Sequence, residues 1–243
     1  MSVVPVTMLR PELQPMKWLI EGWLPENSQA MLYGESGTGK SFVAIDMALS
    51  IACSEITDWH GLKIKHGGVL YLYGENFYRI SVRLVGWAQA HGAKREDLDN
   101  IRIIPQPITI TEESIKDIAS EIEADGIKNL KLIIVDSLIW HFAGDPDSYS
   151  DAVQFLNNIA ILQERFDCAA LIIDPYDRDA FFTLADIALQ TKQLTNTSIS
   201  LLQRKNRTDT RQQPLYFELT RVEIDGATDE DGDPVTTVTL TSK

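Results

Sequence analysis

The sequence predicts an α/β fold in which a mostly parallel sheet is flanked by helices. Three observations support this prediction. Short apolar runs recur through the first two thirds of the chain, these runs contain almost no polar residues, and segments with helical spacing separate them. A strand that is apolar throughout fits a sheet covered on both faces, and a helix between two strands allows them to run parallel.

The predicted elements alternate along the chain. Strands are predicted at residues 29–33, 69–73, 101–104, 132–135 and 169–173. Helices are predicted at residues 41–54, 80–91, 114–124 and 152–165, where apolar residues recur about one turn apart. Ile115, Ile118 and Ile122 show this spacing in the third helix. The alternation is typical of one α/β domain, and a length of 243 residues suits it.

The beginning of the chain differs in composition from the rest of it. Residues 1–28 contain four prolines, with Trp18 and Trp23 among them. We expect an N-terminal arm that packs against the body of the protein. The remainder, residues 29–243, shows no repeat and no break in composition, which predicts a single domain.

The last part of that domain, from about residue 198, is rich in β-forming residues and has little helical pattern. Strands are predicted at residues 198–202, 215–220 and 235–241, with a turn-rich acidic loop at residues 225–233. We expect these strands to form an antiparallel meander on the edge of the parallel sheet.

The charge balance limits the classes of partner. The chain has 22 Lys and Arg against 35 Asp and Glu, a formal net charge of −13. This acidity argues against a broad basic surface that binds nucleic acid without specificity. Cys53 and Cys168 lie in apolar segments, so we expect buried, reduced thiols in a cytoplasmic protein. No membrane partner is expected, because no apolar stretch is long enough to span a bilayer and residues 1–10 show no signal-peptide pattern.

A phosphate-binding motif follows the first predicted strand and opens the first predicted helix. Its residues match G-x-x-x-x-G-K-[ST] in full: Gly34, Glu35, Ser36, Gly37, Thr38, Gly39, Lys40 and Ser41. The glycines let the backbone N–H groups turn toward a phosphate, and the helix N-terminus adds its positive dipole end. We expect Lys40 to lie between the β- and γ-phosphates and the Ser41 hydroxyl to bind Mg²⁺.

Acidic residues follow two other predicted strands. Asp136 comes directly after four apolar residues, and beside a P-loop this position predicts a carboxylate that holds Mg²⁺ together with Ser41. Ser137 follows it, so no second acid is adjacent. Glu75 follows the strand at residues 69–73 and could orient the attacking water. From spacing alone, a solvated loop carboxylate is an equal alternative for Glu75.

Several segments together resemble a known family. They are residues 18–25 (WLIEGWLP), residues 59–61 (WHG), Glu75 followed by Arg79 and Arg83, and residues 136–138 (DSL). With the P-loop, they resemble the RecA-like ATPase core. They are most similar to the RepA-type replicative helicase family, also described as a RecA-like AAA domain family. The resemblance covers roughly residues 18–219 and is most specific in the N-terminal half.

This resemblance implies roles for three further side chains. It makes Glu75 the catalytic glutamate that polarises water. It also makes Lys205 and Arg207 a finger pair that reaches the γ-phosphate held by a neighbouring subunit. Two basic residues two apart on an extended segment point the same way, which suits stabilisation of developing phosphate charge. We therefore expect a homo-oligomer, a hexameric ring with its active sites between subunits, and ATP with Mg²⁺ as cofactors.

One segment departs from the family pattern. Relatives carry two histidines and a lysine after the fifth strand, and one histidine senses the γ-phosphate and couples it to a DNA loop. Here the strand runs into residues 174–179 (DPYDRD), a short acidic loop. A carboxylate at Asp174 would repel phosphate. We therefore expect weaker turnover and weaker engagement of DNA through this loop.

The predicted function is an ATPase of the replicative-helicase type that acts in DNA replication or remodelling, with single-stranded DNA as a candidate partner. One alternative is a regulatory ATP-binding ring module that hydrolyses ATP weakly or not at all and does not move along DNA. Another is a small-molecule P-loop kinase. Such a kinase needs an arginine-rich lid, whereas the late basic segment, residues 204–211, lies in the β-rich region.

Overall fold

The computed structural model describes residue 5, residues 15–207 and residues 211–243. Most of the proline-rich start of the predicted arm, and three positions of the basic segment 204–211, lie outside the described residues. The strands are β1 (Trp18–Ile20), β2 (Leu24–Pro25), β3 (Gln29–Tyr33), β4 (Asp58–Trp59), β5 (Leu62–Lys63), β6 (Gly68–Tyr73), β7 (Ile101–Ile104), β8 (Leu130–Asp136), β9 (Ala169–Asp174), β10 (Ile187–Thr195), β11 (Ser198–Asn206), β12 (Leu215–Thr228) and β13 (Pro234–Ser242). The helices are α1 (Lys40–Ala52), α2 (Phe77–His91), α3 (Glu112–Asp125), α4 (Leu138–His141), α5 (Tyr149–Phe166) and α6 (Asp179–Leu184), with a 3-10 helix at Arg95–Leu98.

One large sheet organises the described part of the chain. Its strand order is β13-β12-β11-β10-β3-β9-β8-β6-β7. The strands from β10 to β7 in this order run parallel, and β11, β12 and β13 extend the sheet antiparallel beyond β10. The predicted fold is therefore confirmed: a mostly parallel sheet with flanking helices and C-terminal antiparallel strands, consistent with a RecA-like P-loop fold.

Two apolar layers cover the central strands. One packs α1 and α2 against the sheet, and the other packs α3 and α5 against the opposite face. In β8, Leu132 and Ile134 enter the first layer, whereas Ile133 and Val135 enter the second. Because successive side chains enter opposite apolar layers, every residue of the strand is buried, which explains why the whole strand is apolar. Burying a Leu, Ile or Val side chain contributes about 1.5–3 kcal/mol to the free energy of folding.

The structure contains a strand that the sequence pattern did not predict. β10 pairs in parallel with β3 and antiparallel with β11, so it links the two parts of the sheet. Its first half is apolar and buried, but Lys192 and Gln193 in its second half are exposed. This mixture of buried and exposed residues matches neither the pattern of a fully buried strand nor a regular alternation of apolar and polar residues. The sequence pattern therefore did not predict β10. The predicted loop at residues 225–233 is also wrong in its first part, because β12 continues to Thr228 in its pairing with β13.

Two helices begin about one turn earlier than predicted because polar side chains cap them. Asn76 Oδ1 accepts a hydrogen bond from the backbone N–H of Tyr78 at 2.8 Å at the start of α2. Ser148 Oγ accepts one from the N–H of Asp151 at 3.4 Å at the start of α5. A cap of this kind satisfies an N–H that has no partner inside the helix and is worth about 1 kcal/mol.

The described end of the predicted arm packs into the first apolar layer. β1 and β2 form a small hairpin, and Leu19 and Trp23 within it are almost fully buried. The Trp23 and Trp59 rings meet edge to face with centroids 6.4 Å apart. The division into an arm at residues 1–28 and one domain remains a prediction.

Cys53 and Cys168 are buried free thiols. Among the described helices, none combines the length and apolar character needed to cross a bilayer.

A buried carboxylate fixes the middle of α1. Asp46 accepts hydrogen bonds from the indole N–H of Trp59 and of Trp87, each at 2.7 Å. Its Oδ2 is also 2.7 Å from His60 Nε2, and His60 Nδ1 is 2.6 Å from Ser242 Oγ. These contacts tie α1 to α2, β4 and the end of β13. They hold the helix whose N-terminus forms the candidate site.

Candidate functional site

The phosphate-binding loop connects β3 to α1, as predicted. Gly34 has a φ of 149°, and a Cβ there would lie 2.5 Å from the Thr191 backbone oxygen, so only glycine fits. Thr38 Oγ1 and Thr191 Oγ1 are 2.7 Å apart in a hydrogen bond. This hydrogen bond fixes the phosphate-binding loop to β10.

Lys40 lies folded over this loop. Its Nζ donates hydrogen bonds to the backbone oxygens of Gly34 at 2.7 Å and Glu35 at 2.8 Å. Burial lowers the pKa of Lys40, while the charges of Asp136 and Asp174 act in the opposite direction. The ammonium group thus lies in the field of two carboxylates from neighbouring strand ends.

Ser41 and Asp136, the predicted metal pair, are brought together. Asp136 ends β8, and its carboxylate accepts a hydrogen bond from Tyr71 Oη at 2.7 Å, with the Ser41 hydroxyl nearby. Asp136 is 4% exposed, and burial raises its pKa, while Tyr71 and Ser41 act in the opposite direction. The peptide bond between Asp136 and Ser137 is cis.

The oxygens of this pair fit Mg²⁺. A hydroxyl and a carboxylate are the hard donors that this ion prefers, and at phosphate sites it takes only one or two ligands from the protein. Among the described residues, there is no cluster of three or more His, Cys, Asp or Glu side chains that could hold a metal. The role of the pair as metal ligands remains a prediction.

Glu75 lies beside Asp136, because β6 and β8 are neighbours and Tyr73 pairs with Asp136 in register. Tyr73 Oη donates to Glu75 Oε2 at 3.4 Å, and Arg79 Nη1 is 3.8 Å from the same oxygen. The Glu75 side chain is 41% exposed. The charge of Glu75 helps to raise the pKa of Asp136, so the two carboxylates share one electrostatic environment.

Arg83 is a site residue to which the sequence analysis gave no role. Its positive charge acts against the rise in pKa of Asp136, Tyr71 and Tyr73. Its guanidinium lies 4.9 Å from the centroid of the Phe42 ring. An arginine two turns after Glu75 on α2 was the available signal, and it appeared only within the family resemblance.

Asp174 has partners that the sequence pattern did not indicate. The predicted repulsion of phosphate remains a prediction, but both oxygens of the carboxylate have donors. The N–H of Tyr176 donates to Oδ1 at 2.8 Å, and Arg178 Nε donates to Oδ2 at 2.8 Å. Burial raises the pKa of Asp174, while these contacts and the charge of Lys40 lower it. The carboxylate is therefore half of an ion pair within its own loop.

Lys205 and Arg207 are not brought to the phosphate loop of this chain. Lys205 Nζ donates to the backbone oxygens of Phe182 at 2.8 Å and Thr183 at 2.7 Å, and Arg207 Nη2 donates to the same Thr183 oxygen. Burial and the nearby Arg207 lower the pKa of Lys205. The two side chains do lie on the same side, as expected, and they contact the C-terminal end of α6.

A groove of about 740 Å³ lies beside the N-terminal end of α1. Its walls come from Phe42 on α1, Tyr78 and Arg79 on α2, and Arg221 and Val235 on the C-terminal strands. The sequence pattern could not find this groove, because its lining is drawn from segments almost 200 residues apart.

One comparison with known proteins identifies a family. A family model described as an AAA domain matches residues 2–174, which is more than two thirds of the chain. The matched region contains the phosphate-binding loop, Glu75, Asp136 and Asp174. No curated protein matches the chain.

Proposed function

The chain belongs to the AAA domain family of P-loop ATPases, and from this premise we propose that it is a Mg²⁺-dependent ATPase motor of the RepA-type hexameric helicase class, acting in DNA replication or remodelling. One observation carries the proposal. Lys40, Ser41, Asp136 and Glu75 come from three separate segments, and their side chains lie along the same end of the sheet.

Each of these residues has a distinct task in ATP hydrolysis. The backbone N–H groups at the start of α1 bind phosphate oxygens, and Lys40 exchanges its loop carbonyls for the β- and γ-phosphates. Ser41 and Asp136 would hold Mg²⁺, which would supply positive charge to neutralise the phosphates. Glu75 orients the attacking water, and its partial exposure suits that task.

The groove beside α1 supports a nucleotide with a large organic part. Phe42 follows Ser41 directly and forms part of the groove wall. A phosphate chain on the loop therefore leads into the groove, where Tyr78 is exposed and offers a ring for stacking. We propose that the nucleoside lies here, with adenine favoured by the family resemblance.

Lys205 and Arg207 are proposed to act on the nucleotide of a neighbouring subunit. Their shared orientation supports this, and the Arg207 side chain is 48% exposed. Their hydrogen bonds to the Thr183 carbonyl would have to be exchanged for phosphate oxygens. A ring with sites between subunits, as the resemblance implies, would bring this about.

The site assignment is tested by turnover of ATP with Mg²⁺, with and without single-stranded DNA. Lys40→Ala and Glu75→Gln should each lower turnover at least about 100-fold, and Lys40→Ala should also weaken ATP binding. Lys128→Ala and Glu113→Gln, both at exposed positions, are the matched controls. Turnover that neither site variant affects would contradict the assignment.

A second candidate is a regulatory ATP-binding module with weak hydrolysis and no translocation on DNA. The acidic loop after β9 favours it, because the ion pair between Asp174 and Arg178 occupies the position where relatives carry a histidine. Comparing ATP turnover with and without single-stranded DNA separates the two candidate functions. Wild-type turnover that is indifferent to DNA contradicts the helicase proposal and leaves the ATPase proposal standing.

Solution mass tests the proposed ring. A hexamer supports the trans role of Lys205 and Arg207, whereas a monomer with full turnover contradicts it. The kinase alternative would need an arginine-rich lid over the phosphates. In the described residues, Lys205 and Arg207 contact α6, and Arg204 lies near Tyr33. The cytoplasmic location remains a prediction.

A further inference from the structure

Asp174 occupies a special position in the sheet. β9 lies between β3, which leads into the phosphate loop, and β8, which ends at Asp136. Asp174 pairs in register with Tyr33, the last residue before the loop, and Ile173 pairs with Asp136. A nucleotide held on the loop as proposed would therefore have its terminal phosphate close to the end of β9.

Arg178 is the partner that compensates the charge of Asp174. Asp174 is 1% exposed and the Arg178 side chain 14% exposed, so the contact of 2.8 Å is shielded from water. Arg178 Nη1 is also 3.2 Å from Asp147 Oδ1, and the guanidinium lies 5.1 Å from the centre of the Tyr176 ring. Arg178 is thus fixed from three sides.

The charges around the loop make this compensation necessary. Lys40 already lies in the field of Asp136 and Asp174. A nucleoside triphosphate brings several further negative charges to the same place. An uncompensated carboxylate at the end of β9 would oppose the terminal phosphate most strongly, because Coulomb energy falls with distance and is large where water is excluded.

We propose that Arg178 is a positioning residue that keeps Asp174 as a neutral pair and so allows the site to prefer nucleoside triphosphate over diphosphate. The inference rests on the proposed function, since it concerns the same site. Arg178 acts through Asp174 and need not touch the nucleotide. A residue that only closed the loop would affect triphosphate and diphosphate alike.

The test is a charge cycle at these two positions. The dissociation constants of Mg·ATP and Mg·ADP are measured for the wild type, Arg178→Gln, Asp174→Asn and the double variant. Arg178→Gln should weaken ATP binding on the order of 10-fold and ADP binding much less, because one unpaired carboxylate faces the terminal phosphate. The double variant, neutral again, should recover the wild-type ATP-to-ADP ratio to within about 3-fold.

Two more variants keep the result clear. Arg178→Lys retains the charge and should keep the preference for ATP. Arg165→Gln breaks an exposed ion pair with Glu123 and should leave the ratio unchanged. If Arg178→Gln does not fold, Asp174→Asn decides, because Arg178, then paired only with the exposed Asp147, should shift the ratio further toward ATP.

The outcomes separate the inference from the proposed function. Failure of the wild type to bind ATP, or binding that Lys40→Ala does not weaken, overturns both. Lys40-dependent binding with an unchanged ATP-to-ADP ratio in Arg178→Gln and Asp174→Asn overturns the inference alone. A ratio that changes in Arg178→Gln but is not restored in the double variant also overturns it, because the effect is then not one of charge.

Discussion

Asp46 and Asp136 are both aspartates in the interior, 2% and 4% exposed, but their surroundings differ in kind. Asp46 lies in the middle of α1, and Trp59, Trp87 and His60 close around its carboxylate. Asp136 lies at the end of β8, where the sheet opens toward the phosphate loop.

The hydrogen-bond donors of the two carboxylates differ in chemistry. Asp46 accepts hydrogen bonds from two indole N–H groups. An indole can donate a hydrogen bond but cannot accept one or bind a metal, so these bonds stabilise the fold. Asp136 accepts a hydrogen bond from the Tyr71 hydroxyl and lies near the Ser41 hydroxyl, and a hydroxyl has lone pairs left for a metal or a water. Its carboxylate also interacts electrostatically with Lys40 and Arg83. The closed donor set of Asp46 suits a structural role, whereas the donors of Asp136 leave it able to take the metal-binding role proposed for it.

The largest expected effect is on turnover, from Asp136→Asn. The amide removes the charge that would hold Mg²⁺, so ATP turnover should fall at least about 100-fold. The nucleotide-free protein should lose no more than about 1 kcal/mol in its free energy of unfolding, because Asn retains an oxygen for Tyr71. Turnover and urea unfolding check the two halves. A variant that unfolds would mean that Asp136 resembles Asp46 after all.

The next effect is on stability, from Asp46→Asn. Asn has one oxygen and an NH₂ group, so it cannot accept from Trp59, Trp87 and His60 together, and a buried donor loses its acceptor. The free energy of unfolding should fall by about 2–4 kcal/mol. Urea unfolding without nucleotide measures it. Asp117→Asn, on the exposed face of α3, should change stability by less than about 0.5 kcal/mol.

ATP binding by the folded Asp46→Asn variant tests whether Asp46 has a purely structural role. The phosphate loop begins at Gly34 and is held from behind by Thr191, both separate from the Asp46 contacts. ATP affinity should therefore stay within about 3-fold of wild type. A large loss of affinity in protein that remains folded would place Asp46 among the functional residues and remove the distinction.

The two carboxylates also differ in how far the sequence reveals them. Asp136 could be predicted because its signal is local: four apolar residues precede it, and a P-loop stands earlier in the chain. The same holds for Lys40, Ser41 and the central strands. Asp46 gave no such signal, because its donors lie 13, 14 and 41 residues away. Contacts between distant segments leave no pattern in a single sequence.

The loop after β9 shows that a contact between residues close in sequence can also be missed. The sequence located Asp174 and predicted a repulsive charge, although its partner Arg178 is only four residues away. Composition reveals that both charges are present. Only the turn of the chain into α6 determines that Arg178 points back to Asp174. The ion pair also draws in Asp147, which is 31 residues away.

Among the residues of the Asp46 network, the smallest expected loss of stability comes from Ser242→Ala, at the outer end of that network. Ser242 is exposed, and its Oγ is 2.6 Å from His60 Nδ1, so water can replace it. The free energy of unfolding should fall by about 0.5–1 kcal/mol, well below the loss from Asp46→Asn. Urea unfolding of the two variants side by side checks this order. A loss as large as that of Asp46→Asn would mean that the network depends on its exposed rim, and Asp46 could then no longer be regarded as closed off by its buried donors.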